Sequence, residues 1–142
     1  MATNSRRQRE KEDRKDAILS AAREVFFEQG IGRATVDAVA EKAQVAKGTV
    51  YLYFESKETI LAHLLLEGLD HLGHGLQQAF DEPGAHSGEE RLRRLAAAYL
   101  DYYQTEPDYF RLMMAFDRGH FQDSVSADVY EMILHRSLRG LR

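Results

Sequence analysis

The chain has 142 residues, 44% of them hydrophobic and 30% charged, and it contains no cysteine. This length fits one ordinary domain or two small ones and excludes a large multidomain enzyme. The lack of cysteine excludes a disulfide framework, a thiolate nucleophile and a cysteine-ligated zinc site. No apolar run approaches the roughly 20 residues that span a bilayer, and no apolar stretch follows the charged N-terminus, so we expect a cytoplasmic protein without a membrane partner.

The two halves of the chain carry opposite net charge. Residues 1–57 contain 11 lysine and arginine residues against 9 aspartate and glutamate residues, a net charge of +2. Residues 58–142 contain 8 against 14, a net charge of -6, and the two values sum to the formal -4 of the chain. This asymmetry favours a phosphate-facing N-terminal head on an acidic body, although a solvated surface can show the same split.

The N-terminal residues predict an arm followed by a helix. Residues 1–9 are polar and include Arg6, Arg7 and Arg9, which we interpret as a flexible basic arm. Such an arm is either a terminus that packs against no other part of the protein, or a segment that lies on phosphates or in a minor groove of DNA. From about Arg14 the apolar spacing becomes helical, and it continues to Gly30, where a left-handed C-cap is expected.

Two short helices follow in the spacing of a helix-turn-helix. Thr35 stands at an N-cap position, and the helix after it extends to about Ala43. A second short helix begins near Ala46 or Lys47 and ends near Phe54. Short helices separated by three or four residues are typical of the helix-turn-helix motif.

The rest of the chain predicts four more helices. Ser56 is a candidate N-cap for a long helix that ends before a loop at residues 81–88. Further helices are expected at 89–104, at 108–117 with Pro107 in the first turn, and from about Ser124 or Ser126 onward. With seven helices and no convincing strand, the predicted fold class is all-α.

Residues 35–60 carry the strongest motif, and they resemble the N-terminal DNA-binding domain of the TetR family of transcriptional repressors. The positions that match the family pattern are Thr35, Val36, Val39, Ala40, Ala43, Val45, Gly48, Val50, Tyr51, Tyr53, Phe54, Ser56, Lys57, Glu58 and Ile60. The resemblance covers about residues 14–62. It implies a three-helix DNA-binding head at 1–57, basic arm included, and a helical ligand-binding and dimerisation body at 58–142.

The resemblance also implies a set of residues that contact DNA. Thr35, Tyr53 and Lys57 would clamp phosphates, and the first and last of these open helices whose free N–H groups suit anions. The residues expected over base edges or the adjacent backbone are Ala46, Lys47, Gly48, Thr49 and Tyr51. The alternative is structural: half-buried tyrosines, a solvated lysine and a threonine that only caps its helix.

Two residues depart from the family pattern. Gln44 stands where glycine is usual in the turn, at a cost on the order of 1 kcal/mol if its φ is positive. Ala46 replaces the usual serine or threonine before the recognition helix, which removes an N-cap hydroxyl worth ~0.5–2 kcal/mol. Ala46 is still able to contact a thymine methyl group.

The body is rich in aromatic and methionine side chains, which line apolar pockets but also fill ordinary cores. The resemblance implies a site here for an apolar or amphipathic small-molecule effector. The residues assigned to it are Tyr99, Tyr103, Phe110, Met113 and Met114. Family members usually continue with two more long helices that pair in a homodimer, so we expect this sequence, which stops at Arg142 within a predicted helix, to be incomplete.

The implied function is that of a repressor that releases a pseudo-palindromic site in double-stranded DNA when its effector binds, with no enzymatic activity and no cofactor. Two rivals stay open. One is an interaction module with the same head that has lost DNA binding, of which Gln44 and Ala46 would be early signs. The other is a small metal-dependent enzyme that uses His71 and His74, although neither a third ligand nor a His-Glu-x-x-His pattern accompanies them.

Overall fold

The computed structural model describes residues 2–84, 87–117 and 126–139. They form seven helices in chain order and, within those ranges, no strand, so the predicted all-α class is confirmed. The helices are α1 (Ala2–Gln29), α2 (Val36–Lys42), α3 (Lys47–Tyr53), α4 (Lys57–Asp81), α5 (Gly88–Thr105), α6 (Pro107–Asp117) and α7 (Ala127–Arg139). The chain divides into two compact units, a head that runs to Leu61 and a body that starts at Ala62.

The first helix begins much earlier than the sequence pattern predicts. The prediction of a flexible arm over residues 1–9 is wrong, because α1 is helical from Ala2. Two side-chain bonds across one turn support this segment: Arg6 Nε lies 2.9 Å from Glu10 Oε1, and Gln8 Nε2 donates to Glu12 Oε1 at 3.0 Å. Arginine, glutamine, glutamate and lysine are also good helix formers, so the segment needs no apolar face to be helical.

The head closes around a small apolar core. Residues from all three of its helices are almost fully buried, together with the residue that follows α3; the most buried of them are Ile18, Ala22, Phe26, Val39, Val50 and Phe54. The predicted glycine C-cap of α1 is confirmed, since Gly30 has a φ of +87° and donates its N–H to Phe26 O at 2.9 Å. Because α2 contacts both α1 and α3, the short helices are held by burial rather than by their own length.

The body is joined by polar bonds as well as apolar contacts. The buried Tyr102 of α5 donates its hydroxyl to Gly68 O of α4 at 2.9 Å, and Tyr109 of α6 donates to Glu67 Oε2 of α4 at 2.9 Å. Arg136 of α7 forms an ion pair with Asp70 of α4. Each of the last three helices is thus bonded to the same stretch of α4.

The apolar stripe of α5 is left largely uncovered. We call Leu92, Ala96, Tyr99 and Tyr103 the α5 stripe, since they recur at helical spacing. Leu92 is 67% exposed, Tyr99 38% and Tyr103 52%. Within the described residues, no helix is both long and apolar enough to cross a membrane.

Candidate nucleic-acid interface

The recognition helix α3 packs through one face and presents the opposite one to solvent. Val50 and Phe54, four residues apart, are 0% and 1% exposed. At about 100° per residue, the direction opposite to this pair is occupied by Leu52, with Gly48 and Thr49 on either side. Leu52 is 81% exposed. Leu52 is absent from the predicted contact set, although its angular position relative to Val50 and Phe54 is readable from spacing alone.

Most of the residues predicted over base edges are accessible on α3. Lys47 and Gly48 are exposed, Tyr51 is 44% exposed and Thr49 is half-buried. A Cβ added to Gly48 would meet no atom within 4 Å, so the backbone itself is open to a close approach at this position. The first two turns of α3 therefore offer small and polar groups to an incoming surface.

Lys47 is tied to the preceding helix. Its Nζ lies 3.0 Å from Asp37 Oδ2 in the first turn of α2. This hydrogen bond, together with the negative charge of Asp37, holds the pKa of the Lys47 ammonium above its ordinary value. The lysine stays charged at neutral pH, and its position near the N-terminus of α3 is restrained.

The two helix starts behave as the sequence predicts. Thr35 Oγ1 accepts a hydrogen bond from the Ala38 N–H at 3.2 Å, so Thr35 is the N-cap of α2. Ala46 occupies the N-cap position of α3 in an extended conformation and makes no side-chain cap bond. The Thr49 N–H bonds to Ala46 O at 2.9 Å, and the N–H groups of Lys47 and Gly48 lack a hydroxyl acceptor from the cap residue.

The turn between α2 and α3 contains a residue in a left-handed backbone conformation. Gln44 has a φ of +56°, the left-handed conformation in which glycine is favoured. Its N–H still bonds to Glu41 O at 3.1 Å, and the next residue, Val45, bonds to Ala40 O at 3.0 Å. These bonds hold the turn closed with glutamine at this position.

The two remaining predicted phosphate contacts lie at the far end of α3. Tyr53 is half-buried, and Lys57 is half-buried at the start of α4, with its Nζ 5.8 Å from the centre of the Phe26 ring. Ser56 caps α4, as predicted, by accepting the Thr59 N–H at 3.1 Å. The residues of the predicted DNA-contact set thus all lie in the head, and Thr35 and Lys57 stand at helix starts before and after α3 along the chain.

The residues predicted to line a ligand pocket meet only in part. Tyr99 and Tyr103 of α5 both pack edge-on against Phe110 of α6, with ring centres 6.1 and 4.9 Å apart. Met113 is half-buried, and Met114 is 37% exposed. The three aromatic rings form a partly exposed surface cluster on the body, and their role as a ligand site stays a prediction.

The two histidines considered as metal ligands, His71 and His74, contact other protein side chains. His71 Nδ1 lies 3.7 Å from Glu106 Oε1, and its ring packs edge-on against Tyr109 with centres 5.2 Å apart. His74 Nε2 lies 3.3 Å from Gln78 Nε2. Among the residues the structure describes, no group of three histidine, cysteine, aspartate or glutamate side chains is placed to hold a metal ion.

Comparison with known proteins gives a consistent family of relatives. Residues 18–64 match the family described as bacterial regulatory proteins, tetR family. The HTH-type transcriptional activator FasR of Mycolicibacterium smegmatis is 30% identical over 107 residues, which is 75% of this chain and 48% of that protein. The fatty acid metabolism regulator protein of Bacillus subtilis is 48% identical over 50 residues, 35% of this chain and 26% of that one. This chain therefore spans less than half the length of either relative.

Solved structures extend the likeness to the body. A tetR family transcription regulator from Shewanella sp. PV-4 covers 90% of this chain with a TM-score of 0.68 at 23% identity, and this chain covers 65% of it. At that identity the match shows the shared fold alone. The fatty acid degradation regulator FadR of Bacillus halodurans covers 89% of this chain with a TM-score of 0.57 at 27% identity, and 63% of its own chain is matched.

Proposed function

Because this chain belongs to the tetR family of bacterial regulatory proteins, we propose that it is a DNA-binding transcriptional regulator whose affinity for DNA responds to a small molecule. The observation that supports this most directly is the recognition helix α3, which buries Val50 and Phe54 and presents a continuous exposed face around Leu52. A single helix held in this way by its back face is what a major groove admits.

The proposed contacts divide between bases and phosphates. Lys47, Gly48, Thr49 and Tyr51 lie over base edges or the adjacent backbone, with Ala46 at the helix start. Leu52, at the centre of the exposed face, has no polar group to offer and is suited to the methyl group of thymine. Thr35, Tyr53 and Lys57 hold phosphates on either side and fix the orientation of α3 in the groove.

The proposed regulation couples this head to the body. Two heads of a homodimer place their α3 helices in successive major grooves of a pseudo-palindrome, about 34–36 Å apart. An apolar or amphipathic ligand in the body favours an arrangement of the heads that no longer fits, and DNA affinity falls by the coupling free energy between the sites. We propose that the protein acts as a repressor.

The chemistry of the effector is proposed from two sources. The aromatic cluster of Tyr99, Tyr103 and Phe110 suits a partly apolar molecule. The names of the Bacillus relatives refer to fatty acid metabolism and degradation, and a further structural relative at 27% identity is named a flavonoid-responsive regulator. Long-chain acyl compounds and planar phenols are therefore the first two classes to test.

The DNA-binding assignment is tested with Lys57→Ala and a matched control. A duplex enriched from a random pool by the purified chain serves as the probe, and fluorescence anisotropy measures Kd. Loss of a charge-assisted phosphate contact should weaken binding by ~1 kcal/mol or more, about fivefold, while far-UV circular dichroism is unchanged. Lys42→Ala removes the same charge from a lysine that is paired with Glu24 at 2.9 Å, and it should change Kd much less.

Equal Kd values for the two variants would remove Lys57 from the site, and no enrichment of any duplex would favour the interaction module instead.

The regulatory half of the proposal is tested by native mass spectrometry of the purified chain. A dimer that carries a small-molecule adduct supports it and identifies a ligand. A bare monomer that binds neither acyl compounds nor phenols contradicts it.

A further inference from the structure

The N-terminal part of α1 extends beyond the core of the head. The first almost fully buried residue of α1 is Ile18. From residue 5 to residue 17 every side chain is exposed except that of Lys15, which is half-buried. This segment, residues 5–17, also precedes the residues matched by the family, 18–64, so that match assigns it no role.

The charges on this segment are sorted by face. Arg7, Lys11 and Arg14 recur at i, i+4 and i+7, the spacing that places side chains on one side of a helix. We call these three residues the basic row. Within the described part of the chain, none of the three forms an ion pair or a side-chain hydrogen bond.

The neighbouring side chains on the segment are already engaged. Arg6 is bonded to Glu10, the acidic residue nearest the basic row, at 2.9 Å, and Arg9 Nε donates to Ser5 O at 3.3 Å. The carboxylate of Glu12 accepts from Gln8 at 3.0 Å. The two carboxylates at 10 and 12 are thus bonded to other residues, and the row is left as an exposed line of cations.

The row starts beside the recognition helix. Lys15, one turn after Lys11, places its Nζ 5.6 Å from the centre of the Phe54 ring, and Phe54 is the C-cap of α3. Lys11 and Arg7 follow at one and two helical turns from Lys15, so the row rises ~6 to ~12 Å away from the end of α3. The row therefore runs along α1 away from the residue that ends α3, in the same compact unit as α3.

We propose that the basic row binds the phosphate backbone of the duplex, beside the groove read by α3. A duplex presents regularly spaced negative charge with no sequence requirement, which fits three exposed cations that make no ion pair or side-chain hydrogen bond within the described residues. The segment is a preformed helix, so these contacts need little further ordering of the backbone. This inference rests on the proposed function and adds a phosphate contact outside the family-matched residues.

The test compares two double variants of the whole chain on a mixed-sequence duplex. Arg7→Gln with Lys11→Gln removes two charges from the row, and Arg6→Gln with Arg9→Gln removes two charges from the other face. Glutamine keeps the helix propensity. Each released phosphate contributes ~0.9 to the slope of log affinity against log salt, so the row variant should be shallower by about 2 and weaker at low salt by on the order of tenfold.

The control variant should change the slope by less than half as much as the row variant does. The control also leaves the Glu10 carboxylate without its arginine partner. This extra negative charge weakens DNA binding by the control, so it makes the expected difference between the two variants smaller. Restoring charge with Arg7→Lys and Lys11→Arg should restore the slope. Equal slopes for the two double variants would overturn the proposal that the basic row contacts phosphates. Duplex binding by the unaltered chain would still support the proposed function. Absence of duplex binding by the unaltered chain would instead overturn the proposed function, and the basic row with it.

Discussion

The head and the body of this molecule use the same kind of sequence pattern with different results. In the head, apolar residues at helical spacing are covered, and Ile18, Val39, Val50 and Phe54 are at most 1% exposed. In the body, the α5 stripe has equally regular spacing, yet Leu92 is 67% exposed. Helical periodicity thus predicts which face of a helix is apolar, but it does not predict whether another element covers that face.

The two units also differ in what holds their helices together. The head depends on a closed apolar core and short caps such as Thr35. The body adds specific hydroxyl bonds from Tyr102 and Tyr109 to α4. Substitutions of core side chains should therefore have their largest effect in the head, whereas loss of a single hydroxyl should be detectable in the body.

The largest expected difference comes from truncating one aromatic residue in each unit. Phe54→Ala removes a fully buried ring and should lower the free energy of unfolding by ~3–5 kcal/mol. Tyr103→Ala removes a half-exposed ring that has one edge contact, and it should cost about 1 kcal/mol or less. Denaturant unfolding followed by circular dichroism at helical wavelengths measures both, and equal losses would contradict the contrast between a covered and an uncovered face.

A smaller effect should isolate the polar bond of the body. Tyr102→Phe removes the hydroxyl donated to Gly68 O and should cost about 1 kcal/mol of stability. Tyr99→Phe removes the hydroxyl of a half-exposed tyrosine and serves as the control, with a change near zero. If Tyr99→Phe lowered the free energy of unfolding as much as Tyr102→Phe does, the hydrogen bond from Tyr102 to α4 would not contribute specifically to stability.

The same bond predicts a pH dependence. Burial, with a smaller contribution from nearby negative charge, raises the pKa of the Tyr102 phenol above its ordinary value. A raised pKa means that the stabilising contribution is complete below the unfolded value of 10.0 and is lost as the pH rises beyond it. The stability difference between the unaltered chain and Tyr102→Phe should accordingly be constant from pH 6 to about pH 9 and shrink in stronger alkali.

The smallest effect should come from the strained turn of the head. Gln44→Gly removes the strain of a left-handed φ, which should raise the free energy of unfolding by about 1 kcal/mol. Glycine also raises the conformational entropy of the unfolded chain, so the net stabilisation should be ~0.5 kcal/mol. The neighbouring residue Ala43 has a φ of -77°, so Ala43→Gly should destabilise the head by ~0.5–1 kcal/mol. Thermal unfolding of the two variants shows whether each substitution stabilises or destabilises the protein. A destabilising effect of Gln44→Gly would rule out strain at this turn.

Local chemistry made much of the head predictable. Thr35 and Ser56 cap their helices, Gly30 ends α1, and Gln44 adopts a positive φ at the position where the family pattern has glycine. Each of these outcomes depends on residues within four positions along the chain. Leu52 is absent from the predicted contact set, although its angle on α3 points away from the core.

Other features were not readable from the sequence. The helical state of residues 2–13 depends on side-chain bonds such as Arg6 to Glu10, which an apolar pattern does not reveal. The contacts of Tyr102 and Tyr109 with α4 join residues 34 and 42 positions apart. The exposure of the α5 stripe depends on which elements cover it, and spacing within one helix carries no information about that.

Gly68 has a consequence for how this sequence can vary. A glycine in the middle of α4 costs the helix ~1 kcal/mol relative to alanine, yet an added Cβ would lie 2.8 Å from Tyr109 Cδ1 and 3.0 Å from Tyr102 Oη. Alanine at position 68 therefore becomes acceptable only after the tyrosine at 109 has given way to a smaller side chain. In a library of variants, or over evolutionary time, these two positions should change together, with glycine retained wherever the large aromatic ring is kept.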